Sequence, residues 1–171
     1  MKKILFLMVC LFTLGMSVNA QEKGKAFIEV GTNYTNTDMG KRLLDATFDE
    51  YKNLFGGQAE VGLYVLDNLA VVGGFKKASA SDLEQITLSA KLQYTMFRYF
   101  LVEAGYAATK IESQEFKHNL LTGIGAILPI NKSKTLAVVP KVNMLVEPHW
   151  KNHTTRFNTA FDVSVGLRLT L

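Results

Sequence analysis

The chain has 171 residues, 19 basic against 15 acidic, a formal net charge of +4, 48% hydrophobic residues and a single cysteine, Cys10. That length suits one domain, and the weak basic balance, with no clustered basic stripe, argues against nucleic acid as a partner. Beyond the first twenty residues no segment approaches the roughly 20 consecutive apolar residues of a membrane-spanning helix, so a membrane role would require strands.

Residues 1–20 begin with Met1, Lys2 and Lys3, continue with an apolar run over 4–14 and end in Val18, Asn19 and Ala20. These are the three parts of a secretory signal peptide, with cleavage expected after Ala20 and a barrel domain over 21–171. Cys10 falls inside this segment, after Val9 where a lipid-attachment site would place a small residue. The remaining chain has no cysteine, which excludes disulfides and thiolate chemistry. Without Lys2 and Lys3 the 19 basic residues become 17 against 15 acidic, a charge of +2.

From residue 27 onward the dominant signal is period-2 alternation. Residues 27–35 set Ile28, Val30, Thr32 and Tyr34 against Glu29, Gly31, Asn33 and Thr35; residues 58–65 set Ala59, Val61, Leu63 and Val65 against Gln58, Glu60, Gly62 and Tyr64. Between them Leu44, Phe48, Tyr51 and Phe55 recur at helical spacing, so the connection 36–56 reads either as a short amphipathic helix or as extensions of the two strands. A tight turn at Leu66, Asp67 and Asn68 leads into 69–76, and centring it on Asp67 pairs Val65 with Leu69 and Val61 with Gly73. After a polar connection over 77–82, residues 85–96 alternate most regularly of the internal strands and turn at Phe97 and Arg98 into 100–109. Centring that turn on Phe97 pairs Lys91 with Glu103, Leu92 with Val102 and Tyr94 with Phe100.

Residues 110–118 are polar, 119–128 form a weaker sixth strand, and 129–134 a short turn. The seventh strand, 136–147, contains Pro140, which lacks a ladder donor and predicts a bulge or local gap in pairing. A last polar connection over 147–158 precedes 159–171, where Phe161, Val163, Val165, Leu167, Leu169 and Leu171 form one wholly apolar face. That run is close to the roughly 9–11 residues a tilted strand needs to cross a bilayer.

Eight strands joined by alternately long and short connections fit an all-β, eight-stranded antiparallel up-and-down transmembrane β-barrel with both ends in the periplasm. The polar face then points inward and carries Glu29, Glu60, Lys76, Lys91, Glu103, Lys141, Glu147, Asp162 and Arg168. Of these, Glu29, Glu60, Lys91, Glu103, Lys141, Asp162 and Arg168 are the candidate interior charges. Gly31, Gly62, Gly74, Gly105, Gly123, Gly125 and Gly166 share that face, as a crowded narrow interior requires. Aromatic residues gather toward the two ends: Phe27, Tyr94, Phe97, Tyr99 and Phe100 at the short-turn end, and Tyr34, Phe75, Tyr106 and Phe161 toward the long loops.

In this architecture the chain resembles the small eight-stranded outer-membrane barrels of the OmpA/OmpX type. The resemblance covers the whole chain after residue 20 and rests on pattern, since no short motif carries it. It implies a Gram-negative outer-membrane location, contact with outer-membrane lipid, delivery by the barrel-assembly machinery, a monomer, no cofactor, and a non-enzymatic role in envelope structure or surface interaction and adhesion through the loops. Where the family usually ends in an aromatic residue, this chain has Leu171. The alternative is a soluble lipocalin-like barrel binding an apolar ligand, for which the Gly-x-Trp signature is missing, Trp150 being the only tryptophan.

Catalytic and metal signals are thin. His149 and His153 near Glu147 have ligand chemistry, and Ser113 near His118 and Glu115 has the residue types of a hydrolase, but neither set carries a recognisable spacing. No enzyme and no metal site are expected. The seam between first and last strands is more informative: Glu29 early in one and Arg168 late in the other meet on the polar face, and an interior ion pair is expected there, the guanidinium suiting a two-point contact.

Overall fold

A computed structural model describes residues 22–36, 53–80, 83–111, 115–151 and 154–171. They form strands β1 (Ala26–Asn36), β2 (Asn53–Leu66), β3 (Leu69–Ala80), β4 (Leu83–Met96), β5 (Phe100–Ile111), β6 (Lys117–Ala126), β7 (Leu128–Pro129), β8 (Leu136–Lys151) and β9 (Thr154–Thr170). Each pairs antiparallel with its neighbours, and β1 also pairs with β9, which closes the sheet. β6 and β7 both lie against β8 in one unbroken register, Gly125 opposite Lys141 and Leu128 opposite Val138, so they are one stave interrupted at Ile127. The barrel therefore has eight staves, as the alternation indicates.

Alternation becomes inside and outside because successive side chains leave opposite faces of a strand. On β9, Val163, Val165, Leu167 and Leu169 are 44–50% exposed, whereas Asp162, Ser164 and Arg168 are 0–1% exposed. The apolar face is outside and the charged face inside, the reverse of a soluble carrier built to hold an apolar ligand. Closing a sheet of eight strands leaves room for side chains and little else. Near the short turns the interior is filled by Phe27, Tyr64, Ala70 and Val72 and by Leu101, Ile127, Ala137 and Val139. Toward the other end Ala107, Leu121 and Leu145 form a further apolar cluster.

The interruption at Ile127 lies beside Pro140, whose partner across β6 would be Ala126. Pro140 still faces Val165 on β9. Because the register is the same on both sides, the missing proline donor produces a gap and no bulge. Ile127 instead donates its backbone N–H to the Tyr99 carbonyl at 2.6 Å.

Several strands run further than their apolar patterns. Residues 81–82 alone separate β3 from β4 and 152–153 separate β8 from β9, so the polar segments 77–82 and 147–158 are largely paired strand, while of 110–118 only the two residues at each end are. Polar composition marks where a strand leaves the apolar belt; its backbone groups still need partners, and the adjacent strand supplies them. Phe55 likewise lies in β2, opposite Tyr34 with ring centroids 4.8 Å apart, and is not part of a helix. Leu44, Phe48 and Tyr51 lie outside the described residues.

Two turn registers differ from expectation. Leu69 pairs with Leu66, the ladder shifting between Tyr64 and Leu66, while Val61 does face Gly73. This leaves Val65 as the extra residue, with Asn68 in the left-handed region at φ 68°. The β4–β5 turn spans 97–99 with positive φ at Phe97 (49°) and Arg98 (69°). Lys91 therefore faces Gly105, Leu92 faces Ala104 and Tyr94 faces Val102. Phe27 is also displaced from its expected place among the rim aromatics: at 1% exposure it is inside the barrel.

Candidate functional site

Six of the interior charges form one continuous chain. Lys91 Nζ on β4 lies 2.7 Å from Glu103 Oε1 on β5 and 2.7 Å from Glu60 Oε1 on β2. Lys141 on β8 contacts Glu60 Oε2 at 2.7 Å and Glu29 Oε1 on β1 at 2.5 Å. Arg168 on β9 then donates Nε and Nη2 to Glu29 Oε2 at 3.0 and 2.7 Å. Acid and base alternate from Glu103 to Arg168, three of each, and all six side chains are buried.

The Lys91–Glu103 contact survives the two-residue difference in register because diagonal neighbours across an antiparallel pair remain within reach of long side chains. At the seam Glu29 and Arg168 are directly opposite. The guanidinium places two donors on one carboxylate oxygen, leaving Oε1 to Lys141, so this contact is a fork onto a single atom and not a parallel two-point pair.

Arg168 has three further partners that side-chain type alone did not single out. Its Nη2 donates to Gln93 Oε1 at 3.0 Å, its Nη1 to the Tyr64 hydroxyl at 3.3 Å, and its guanidinium carbon lies 3.9 Å from the Phe27 ring centroid. Parity was the available signal, since Phe27 and Tyr64 share their faces with Glu29 and Glu60. Gly62, opposite Phe27, makes this possible. A Cβ there would enter the space of the Phe27 ring, and a Cβ at Gly166 would lie 2.6 Å from Glu29 Oε1.

Asp162 stands apart from the six. It forms an ion contact with Lys76 and accepts hydrogen bonds from the Thr35 hydroxyl at 3.1 Å and the Asn33 amide at 3.3 Å. Between it and the ion chain, a void of about 10 Å³ is lined by Gln58, Lys76 and Asn143. That is room for about one water molecule and too little for a hydrated ion. Glu147 is closer to the surface, 4.0 Å from Lys117.

Of the weaker chemical candidates, the described residues include His118, Glu115 and Glu147. His118 is engaged by Tyr106, its ring stacked at 5.7 Å and its Nδ1 hydrogen-bonded to the phenol. Ser113, His153 and the side chain of His149 lie outside the described residues. Among the described residues no group of three or more His, Cys, Asp or Glu side chains could hold a metal ion.

No family model matches the chain, and no curated protein matches it in sequence. In architecture it is similar to the outer membrane protein OprG of Pseudomonas aeruginosa, with a TM-score of 0.60 and 10% identity over 91% of this chain and 99% of that one. The N-terminal β-barrel domain of Pseudomonas aeruginosa OprF gives 0.55 at 13% identity, covering 88% of this chain and all of the domain (100%). Neisserial surface protein A gives 0.54 at 10% identity, covering 85% and 95% of the two chains. The fold is that of the small outer-membrane barrels. Within that architecture the ion chain spans the interior of the barrel from β5 to β9 and fills its middle with paired charge. Desolvation offsets much of the attraction in such pairs, so their contacts are weak evidence of added stability.

Proposed function

We propose that the protein is a non-enzymatic integral outer-membrane barrel of a Gram-negative bacterium. It reaches the membrane through a cleaved segment over 1–20 and the barrel-assembly machinery, works as a monomer with its short turns in the periplasm, and contributes to envelope structure or to surface interaction through its long-loop end. The observation that carries this reading is the inverted polarity: an apolar outer surface around a buried, charge-balanced interior. From residue 161 to 171 the apolar face of β9 and the segment after it extends about 33 Å along the strand, or about 25 Å along the axis at a tilt of about 40°, the height of an outer-membrane apolar band. OprG being an outer membrane protein and the neisserial neighbour a surface protein supports the same assignment.

Membrane fractionation tests it. The protein should remain with the outer membrane after salt and alkaline washing and migrate differently on a gel before and after boiling. Recovery in the soluble periplasmic fraction would overturn the assignment. Because side chains fill the axis, planar-bilayer recordings should show little or no steady conductance, and large stable porin-like steps would contradict the filled interior.

A further inference from the structure

At the end bearing the short turns, a pocket of about 320 Å³ opens at the mouth of the barrel, within the range of small-molecule sites, about 300–1,000 Å³. Ile127, which lines it, belongs to the buried apolar cluster with Leu101, Ala137 and Val139. Three separate segments bring cations to its wall: Lys25 from the stretch before β1, Arg98 from the β4–β5 turn, and Lys132 and Lys134 from the β7–β8 turn. Glu22, which pairs with Lys25 at 3.0 Å, and Leu171, whose main-chain carboxylate is a second anion, also line it, so cations outnumber anions four to two.

The turn carrying the two lysines is held in shape by its own side chains. Asn131 donates to the hydroxyls of Ser133 and Thr135, each at 2.8 Å, and accepts from the Leu136 backbone N–H at 3.1 Å. Lys134 and Arg98 both sit at positive φ, 57° and 69°, a conformation that non-glycine residues seldom adopt. We propose that this mouth binds a phosphate group, either a soluble phosphate ester or an anionic phospholipid headgroup. A phosphate presents several acceptor oxygens in three dimensions, which suits cations converging from three directions better than a planar carboxylate does. The guanidinium of Arg98 supplies a fixed fork and the lysines movable point charges.

The pocket stands apart from the outer-membrane reading; its lipid arm alone rests on that reading. The refolded full-length barrel, isotope-labelled in a phosphate-free detergent, is titrated with inorganic phosphate and with glycerol phosphate while backbone amide shifts are followed. A second series compares nanodiscs of phosphatidylcholine with and without phosphatidylglycerol. Saturable shifts at 98–99 and 132–135 are expected, and Arg98→Gln and the double variant Lys132→Gln, Lys134→Gln should each weaken binding about tenfold or more per cation removed. Heat-dependent gel mobility shows that each variant still folds, and Lys77→Gln, away from the pocket, should bind as the parent does. A response to the soluble phosphates identifies a soluble ligand, and a response to phosphatidylglycerol alone identifies a lipid headgroup. No response to any probe, or a response unchanged in both pocket variants, overturns the proposal, and neither result depends on where the protein fractionates.

Discussion

Arg168→Met is the most demanding test of the interior. It removes both donors from Glu29 Oε2, at 3.0 and 2.7 Å, while Lys141 stays 2.5 Å from Oε1. Orphaning a buried charge costs about 3–5 kcal/mol; because one cation remains, we expect the lower end, about 3 kcal/mol. Glu29→Gln leaves Arg168 with Gln93, Tyr64 and Phe27, and Lys141 with Glu60, and should cost about 2–3 kcal/mol, as for lost charge-assisted hydrogen bonds. Each single change unbalances the chain by one charge in opposite directions. The double variant is neutral again, reduced to Glu103, Lys91, Glu60 and Lys141. Its loss should therefore fall short of the sum by about 2 kcal/mol, within the coupling range of residues sharing a network. Urea unfolding in lipid vesicles, followed by circular dichroism and gel mobility, measures all four proteins. As a control, Glu29→Gln combined with Asp162→Asn should be nearly additive, because Asp162 pairs with Lys76 outside the chain. If Glu29→Gln and Arg168→Met simply add, the seam charges are uncoupled and the network is not what holds the closing register.

Two further substitutions test the packing and the polarity. Gly62→Val should push Phe27 off Arg168 and destabilise the barrel by about 1–3 kcal/mol, the usual cost of overpacking, and adding Phe27→Ala should recover part of the loss in the same urea assay; an unchanged midpoint for the single variant would refute the contact. Val165→Arg, on the outer face where Val165 is 50% exposed, should cost about 2–4 kcal/mol in vesicles if it lies near the bilayer midplane, whereas on a water-facing surface it would change little. Equal stability of Val165→Arg and the parent would remove the basis for the apolar belt.

Parity was enough to decide which residues share a face. Because strand periodicity is strictly two, Glu29, Glu60, Lys91, Glu103, Lys141, Asp162 and Arg168 could be separated from Val30, Val61, Leu92 and Leu167 without coordinates, and Pro140 marked the local break beside Ile127 from its missing donor alone. Counting back from the shared chain ends also put Glu29 beside Arg168. Strand ends were less legible: polar composition reports contact with water, and a ladder continues through water wherever the neighbouring strand is there to complete it, as over 147–151 and 154–158. Turn chemistry was the other gap. One residue in left-handed conformation more or less, as at Phe97 and Arg98, moves every partner along a hairpin, so Lys91 faces Gly105 and meets Glu103 on the diagonal.

Only closure of the sheet could decide which charges touch. Glu60 and Lys141 are 81 residues apart, on strands that do not pair, yet meet at 2.7 Å across the barrel axis. Alternation contains no information about such contacts, because they depend on the diameter and stagger of the closed barrel. The same closure turned Phe27, an aromatic near a strand end, from a candidate for the rim into the ring beneath Arg168. Local pattern selects the face of each strand; the curvature of eight strands around one axis selects the partner.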